Sequence, residues 1–246
     1  LGVSASVAEA ERRIERRQTL SYKQPSELTA DECRLIGFWI GDGSVARPRR
    51  GGREYTLSQS KVYPTIIAWV DSLLTRLGVD YRRREPSYGA VPHVRWSLPR
   101  GTGGGSQERN GVYAIEPYLD KDGPPGLEAF NEAQVDAFLE GWWFADGIHG
   151  QGLKLPKTFI ISCTNLQLLT AFQCTAVTRG YRVTIKRASL PHKIAHHQMY
   201  TLTARKAASR SVSFSFEDGW REERLWCVRV PAHNIITRRH GTVAVM

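Results

Sequence analysis

Asp42 closes the apolar segment "LIGFWIGDG" and Asp146 closes "LEGWWFADG", each followed directly by glycine. A carboxylate at the C-terminal end of a helix meets the negative end of the helix dipole, and two such carboxylates side by side also repel each other. A divalent cation between them removes both penalties, and oxygen ligands completed by backbone carbonyls, water and a phosphate suit Mg²⁺. The chemistry open to that arrangement is metal-assisted phosphodiester hydrolysis. It requires an activated water, stabilised charge at phosphorus and a stabilised leaving oxygen, and no nucleophilic side chain. One Asp-Gly after an apolar helix is ordinary turn chemistry; two, in matching surroundings, are a pattern.

The elements that must position these acids can be read from the surrounding residues. Thr29 and Glu32 form a capping-box pattern, and Leu35, Ile36, Trp39 and Ile40 follow at helical spacing, so a helix starts near Thr29 and stops by Gly43, expected in the left-handed conformation. In the second copy Asn131 caps, Gln134 sits at the third helical position, and Val135, Phe138, Leu139, Trp142 and Trp143 form the apolar face. Gly37 and Gly41, and likewise Gly141 and Ala145, lie four apart on one helix face. Small residues at that spacing let helix backbones approach closely, which would bring Asp42 and Asp146 together.

Each helix is followed by the same succession. "REYTLSQS" reads as a strand, "IIAWVDSLLTRLG" as a helix, and "VDYRRRE" and "HVRWSLPR" as strands; then "TFIISCT", "LQLLTAFQCTAVTRG", "YRVTIKR" and "QMYTLTAR" repeat the order. The chain is an internal duplication of an α-β-β-α-β-β unit. Gly-rich residues 101–111 read as a surface loop and residues 120–129 as the interdomain linker.

With 34 Lys plus Arg against 24 Asp plus Glu, the 246-residue chain carries a net charge of +10, which favours a polyanionic partner. Nucleic acid is favoured over a membrane, because there is no transmembrane-length apolar run and no signal-peptide core, and an intracellular location (cytoplasm, nucleoid or organelle) is the expectation. Cys33, Cys163, Cys174 and Cys227 lack zinc-cage or disulfide spacing and are expected as reduced, mostly buried thiols.

The paired segments resemble the two motif copies of single-chain LAGLIDADG homing endonucleases, over roughly residues 27–206. The resemblance implies an α+β fold of two pseudo-symmetric αββαββα repeats. The motif helices would form the domain interface, and two antiparallel sheets would make a saddle on successive major grooves of a long double-stranded DNA site. It implies that Asp42 and Asp146 are metal ligands, that the carbonyls of Gly41 and Ala145 assist, and that each acid serves cleavage of one strand, leaving short 3′ overhangs. Mg²⁺ is the expected cofactor, with Mn²⁺ as a substitute and Ca²⁺ binding without supporting cleavage. Gln59 in "LSQSK" matches the family's polar residue on the strand after the motif; "ISCTN" offers Ser162 or Cys163 instead, which leaves the two half-sites unequal. Lys121 and Lys206 are the candidates for the auxiliary basic residue of the first and second site.

DNA contacts are expected from Arg47, Arg49, Arg50 and Arg53 after the first motif, from Arg82, Arg84 and Arg95 in the first sheet, and from Arg182, Lys186, Arg187 and Arg205 in the second. Arg82, Arg83 and Arg84 alternate across a strand, so only some of them can face a groove. His192, His196 and His197 read as a hairpin tip over DNA and not as a metal set.

The expected organisation is a charged arm over 1–26, a first repeat over 27–122, a second over 123–210 and a C-terminal tail over 211–246. The tail reads as two short strands, "LWCVRV" and "TVAVM", joined by a polar turn. "VRVPAHNIITRRHG" resembles the segment near the end of inteins, with Ile235 where an aromatic is usual, and the resemblance implies a relic of an intein, or an endonuclease derived from one, without splicing activity. The leading expectation is a monomeric endonuclease. The competing classes are an RNA maturase or non-cleaving DNA-binding protein on the same fold, and an intein-linked splicing protein.

Overall fold

The computed structural model describes residues 22–46, 53–86, 92–101, 111–148, 155–188, 198–206, 236–239 and 242–245. Two helices lie at its centre, α1 (Ala30–Asp42) and α3 (Glu132–Asp146), and both begin as their residues dictate. The Thr29 hydroxyl accepts from the Glu32 backbone N–H while Glu32 reaches back to the Thr29 N–H, and Asn131 and Gln134 do the same for α3. The Gln134 amide also donates to the carbonyls of Pro25 and Leu28, fastening the start of α3 to the residues just before α1.

The two helices pack along the small residues read from the sequence. A Cβ added to Gly37 would lie 2.1 Å from the Phe138 carbonyl oxygen, and one added to Gly141 would lie 2.0 Å from that of Arg34. These contacts are reciprocal, each glycine seating against the backbone three residues before the other. Phe38, Trp39, Phe138 and Trp142 are buried around the crossing. An ion pair of 2.9 Å between Arg34 and Glu140 ties the helices on their flank, with Arg76 of α2 (Pro64–Arg76) joining through Asp31.

The first sheet has the order β1-β2-β4-β3, all antiparallel, from β1 (Gly43–Ala46), β2 (Glu54–Ser60), β3 (Arg82–Arg84) and β4 (His93–Pro99). β1 starts directly at the end of α1, a strand that the short segment "GSVA" did not announce. Gly43 is therefore not left-handed: its φ is −88°, ordinary extended backbone. Glycine is required there by contact, since an added Cβ would fall 2.3 Å from the Trp39 ring.

The second half repeats the plan. α3 leads through a bridge between Gly147 and Ile161 into β5 (Thr158–Cys163), followed by α4 (Leu166–Thr178), β6 (Tyr181–Arg187) and β7 (Tyr200–Lys206). This sheet has five strands, in the order β5-β7-β6-β9-β8, because β8 (Ile236–Arg239) and β9 (Thr242–Val245) form a hairpin on its edge. The "TVAV" strand was expected. β8, however, forms where the sequence suggested a polar turn, and "LWCVRV" lies outside the described residues.

Alternation in burial sets one face of each sheet against its helices, with Tyr55, Leu57, Val94, Trp96 and Leu98 inward in the first and Tyr181, Val183, Ile185, Leu202 and Ala204 in the second. Cys33 is buried and Cys163 half-buried, but Cys174 is exposed, against expectation, because it shares the outer side of α4 with Ala171 and Thr178. No helix among the described residues is long and apolar enough to cross a membrane.

Candidate active site

The acids meet at the C-terminal end of the crossing, one turn beyond the Gly37 and Gly141 contacts. A Cβ on Gly41 would lie 2.4 Å from the Ala145 Cβ and 2.9 Å from the Asp146 carboxylate, so Asp146 reaches across onto the end of α1. Gln59 is buried on β2 and donates from Nε2 to Asp42 Oδ2 at 3.0 Å, while its own carbonyl is fixed by the Ser60 N–H. Asp42 therefore has a held orientation.

Burial, and then the neighbouring charge of Asp146, push the Asp42 carboxyl up to about 7. Asp146 is raised as well, by burial, against the opposing pull of Lys121 and of the Trp142 indole N–H, which is buried without a hydrogen bond of ordinary geometry. The proton that remains near neutrality belongs to the pair more than to either acid. A consequence for stability follows. Between the unfolded carboxylate range near 4 and the folded value of about 7, the native state binds more protons than the unfolded chain, so stability falls as pH rises through that window. In chelator-treated protein, denaturant titrations at pH 5 and pH 8 are expected to show a loss of a few kcal/mol at the higher pH. Asp42→Asn should flatten most of that dependence; an unchanged slope would mean that the carboxylates are not a buried, mutually repelling pair.

Lys121 stands at the centre of the site. Its Nζ donates at 2.7 Å to the carbonyls of both Ile40 and Gly41, capping the C-terminal end of α1, and its charge acts on Asp42, Asp146 and Cys163. Burial lowers the ammonium's pKa while both acids raise it, although the residue keeps a side open to solvent. The segment read as an interdomain linker thus carries a lysine whose charge acts on the acids of both halves. Its loop is fixed by Asn165, which donates to Asp122 Oδ1 at 3.2 Å and caps α4 with its own side-chain oxygen. Asn165 was missed in the sequence, although an Asn directly before the apolar run "LQLL" is a cap signal.

Lys206 does not join the site. Its Nζ pairs with Glu132 at 2.8 Å and Asp136 at 2.7 Å, at the opposite end of α3 from Asp146. In the second half the residue at the place of Gln59 is Cys163: Gly43 pairs with Leu57, two before Gln59, and Gly147 with Ile161, two before Cys163. The Cys163 thiol, raised by burial, accepts from the Asn165 N–H and leaves Asp146 without the amide donor that Asp42 has.

Two carboxylates that repel in a half-buried setting, beside helix-terminal carbonyls, form a donor set that fits a hard divalent cation. Among the described residues there is no cluster of three or more His, Cys, Asp or Glu, and in such a set these two acids would be the charged members. The Gly41 carbonyl already accepts from Lys121, which leaves it one lone pair for a further partner.

Basic residues collect on the outer faces of both sheets. Arg84 pairs in register with Arg95, and Arg95 with Ser58; in the second sheet Arg182 pairs with Arg205, and Arg205 with Thr158. Arg82 and Lys186 share these faces. Facing like charges are unfavourable, and no acid among the described residues pairs with Arg84, Arg95, Arg182 or Arg205; the Arg95 Nε is buried without a partner. Arg83, on the helix side, is tied to Asp71 and Glu85. Arg187 departs from expectation: alternation sets it on the helix-side face, where it donates to Gln198. Arg53 is exposed beside the buried Glu116, which also accepts from Tyr55 and Arg100. Arg47, Arg49, Arg50 and the three histidines lie outside the described residues.

No family model and no curated protein matches the sequence. Among solved structures the chain is similar to I-DmoI in complex with DNA and Ca, at 19% identity and a TM-score of 0.47 over 71% of this chain and 82% of that one. It is also similar to the N-terminal LAGLIDADG domain of DUF199/WhiA, at 11% identity and a TM-score of 0.42 over 73% and 78% of the two chains. The homing endonuclease I-WcaI bound to its DNA recognition sequence matches at 13% identity and a TM-score of 0.40, over 76% and 80%.

Proposed function

We propose that this chain is a single-chain LAGLIDADG endonuclease that hydrolyses both strands of a specific double-stranded DNA site. The observation that carries the reading is the meeting of Asp42 and Asp146 at the C-terminal end of the α1–α3 crossing, with Lys121 between the two halves. The facing arginines on both sheets support a polyanionic duplex as the partner. Asp42, Asp146 and the Gly41 and Ala145 carbonyls would hold a divalent cation, expected to be Mg²⁺, which supplies Lewis-acid stabilisation of the phosphate and lowers the pKa of an attacking water.

The chain's own residues do the rest. Gln59 holds the Asp42 carboxylate in one rotamer, so the acid does not have to be ordered when the substrate arrives. The Lys121 ammonium is a fixed positive charge at the centre of the site, placed to offset charge on a phosphate oxygen. The outer sheet faces neutralise flanking phosphates and present Arg84, Arg95, Arg182 and Arg205 to base edges. Nothing in this scheme requires a second copy, and the protein is expected to act as a monomer.

The test is incubation of the protein with a randomised duplex library in Mg²⁺ and in Ca²⁺. Recurrent double-strand breaks with short 3′ overhangs in Mg²⁺ alone are expected. Salt-sensitive, sequence-selective binding without a cut in any metal would make the protein a recognition module and defeat the endonuclease reading.

The inequality of Gln59 and Cys163 gives a sharper expectation. Gln59→Ala is expected to slow cutting of one strand by about 10- to 100-fold and to accumulate nicked product, as loss of a residue that orients a metal ligand does. Cys163→Ala should change the other strand's rate little. Equal slowing of both strands by Gln59→Ala would show that the amide serves the site as a whole.

A further inference from the structure

The two motif helices differ at the residue one turn before each acid. Four residues before Asp42 stands Phe38; four before Asp146, at the same place in "LEGWWFADG", stands Trp142. Residues four apart are neighbours on one helix face, and helical side chains lean back toward the N-terminus, so the Asp146 side chain leans toward Trp142. Both residues lie along α1. A Cβ added to Gly37 would lie 2.9 Å from the Trp142 backbone nitrogen, and one added to Gly41, a turn further on, would lie 2.9 Å from the Asp146 carboxylate.

The Trp142 ring has little freedom to turn. It is fully buried, edge-on to Phe138 at 5.8 Å and to Phe172 of α4 at 5.7 Å. Packing therefore sets the direction of its indole N–H. That N–H is buried without a hydrogen bond of ordinary geometry, an unfavourable state for a donor taken out of water. The group it acts on is Asp146, whose carboxyl it lowers against the effect of burial.

The half-sites thus exchange donors between elements. In the first, the strand supplies the Gln59 amide and the helix supplies a phenyl ring, which has no donor. In the second, the strand supplies the Cys163 thiol, already accepting from the Asn165 N–H, and the helix supplies an indole. We propose that Trp142 is the positioning residue of the second half-site: its indole N–H holds the Asp146 carboxylate over the end of α1, as the Gln59 amide holds Asp42. The proposal rests on the reading of Asp42 and Asp146 as the two acids of an endonuclease, and it names what orients the second of them. A donor locked by packing keeps the acid ordered before any cation arrives. Cys163 then has no orienting duty, in keeping with the small effect expected of Cys163→Ala.

The first measurement needs neither metal nor DNA. In the full chain carrying ¹⁵N at its seven tryptophan indoles, the Trp142 and Trp39 N–H signals are identified by their loss in Trp142→Phe and Trp39→Phe. Asp146→Ala is expected to move the Trp142 proton signal upfield, and to leave in place that of Trp39, whose indole N–H is also buried without a hydrogen bond among the described residues. An unmoved Trp142 signal would overturn the proposal, whatever the protein does to DNA.

The second measurement follows each strand of a duplex recovered from the library selection. Trp142→Phe, which gives the second half the ring that the first half has, is expected to slow one strand by about 10- to 100-fold, the strand that Gln59→Ala spares, and to change the other little. Adding Cys163→Gln, which returns an amide to the strand, should restore most of the lost rate. Equal slowing of both strands by Trp142→Phe would overturn the proposal by showing that the ring acts through the packing of the helix seam. If the unaltered chain cuts no duplex, the endonuclease reading fails, and the metal-free spectra still decide whether the indole holds Asp146.

Discussion

Asp42→Asn and Asp146→Asn are each expected to reduce double-strand cleavage by about three orders of magnitude or more, corresponding to about 4 kcal/mol of lost transition-state stabilisation. Binding to the same duplex should survive or tighten. The reason lies in the geometry: Asp42 is held by Gln59 beside the Asp146 charge, and Asp146 reaches across Gly41, in an arrangement that a bound cation would favour. Asparagine keeps the shape and removes the charge. Metal affinity should fall, while the repulsion and its pH dependence disappear, so each variant should be more stable than the parent at pH 8 without metal. Joint loss of cutting and gain of metal-free stability separates a functional acid from a structural one. A variant that cuts normally, or that loses cutting together with folding, would sink the two-acid mechanism.

Much of this site was legible before any fold was known, because its signals are local. A capping box, a small-xxx-small spacing and an acid before glycine each occupy one helical segment, and the duplication states them twice. Lys121 was legible only as a candidate, since its role depends on a loop that Asn165 of the second half pins beneath the end of α1. Lys206 misled for a reason that no local pattern contains. Antiparallel pairing of β5 and β7 puts Tyr200 opposite Cys163 and Arg205 opposite Thr158, so β7 runs away from the site and delivers Lys206 to the far end of α3. Register of that kind is a tertiary fact. Arg187 was different: counting by twos from Arg182 already excludes it from the outer face. β8 was hidden because "ITRR" has the polarity of a turn, and its only strand partner among the described residues is β9, which itself pairs on the edge of β6.

The second large effect concerns the crossing itself. Glycine to alanine within a helix ordinarily stabilises by about 1 kcal/mol, since alanine restricts the unfolded chain and favours the helix. At Gly37 and Gly141 the sign is expected to reverse. An added methyl would meet the Phe138 carbonyl oxygen at 2.1 Å in the first case and the Arg34 carbonyl oxygen at 2.0 Å in the second. Neither oxygen can withdraw, because each belongs to the backbone of the facing helix; the helices must separate instead. Overpacking of a rigid contact destabilises by about 3 kcal/mol, which for a chain of this size lowers Tm by roughly 6–12 °C. Thermal melts and denaturant midpoints of Gly37→Ala and Gly141→Ala check this directly, and a stabilised variant at either position would refute the close crossing. The same displacement should separate Asp42 from Asp146, so in protein that remains folded at low temperature cleavage is expected to fall while binding through the outer sheet faces persists. Loss of both together would place the glycines in the fold alone, whereas loss of cutting first would make the helix seam the device that sets the distance between the two acids.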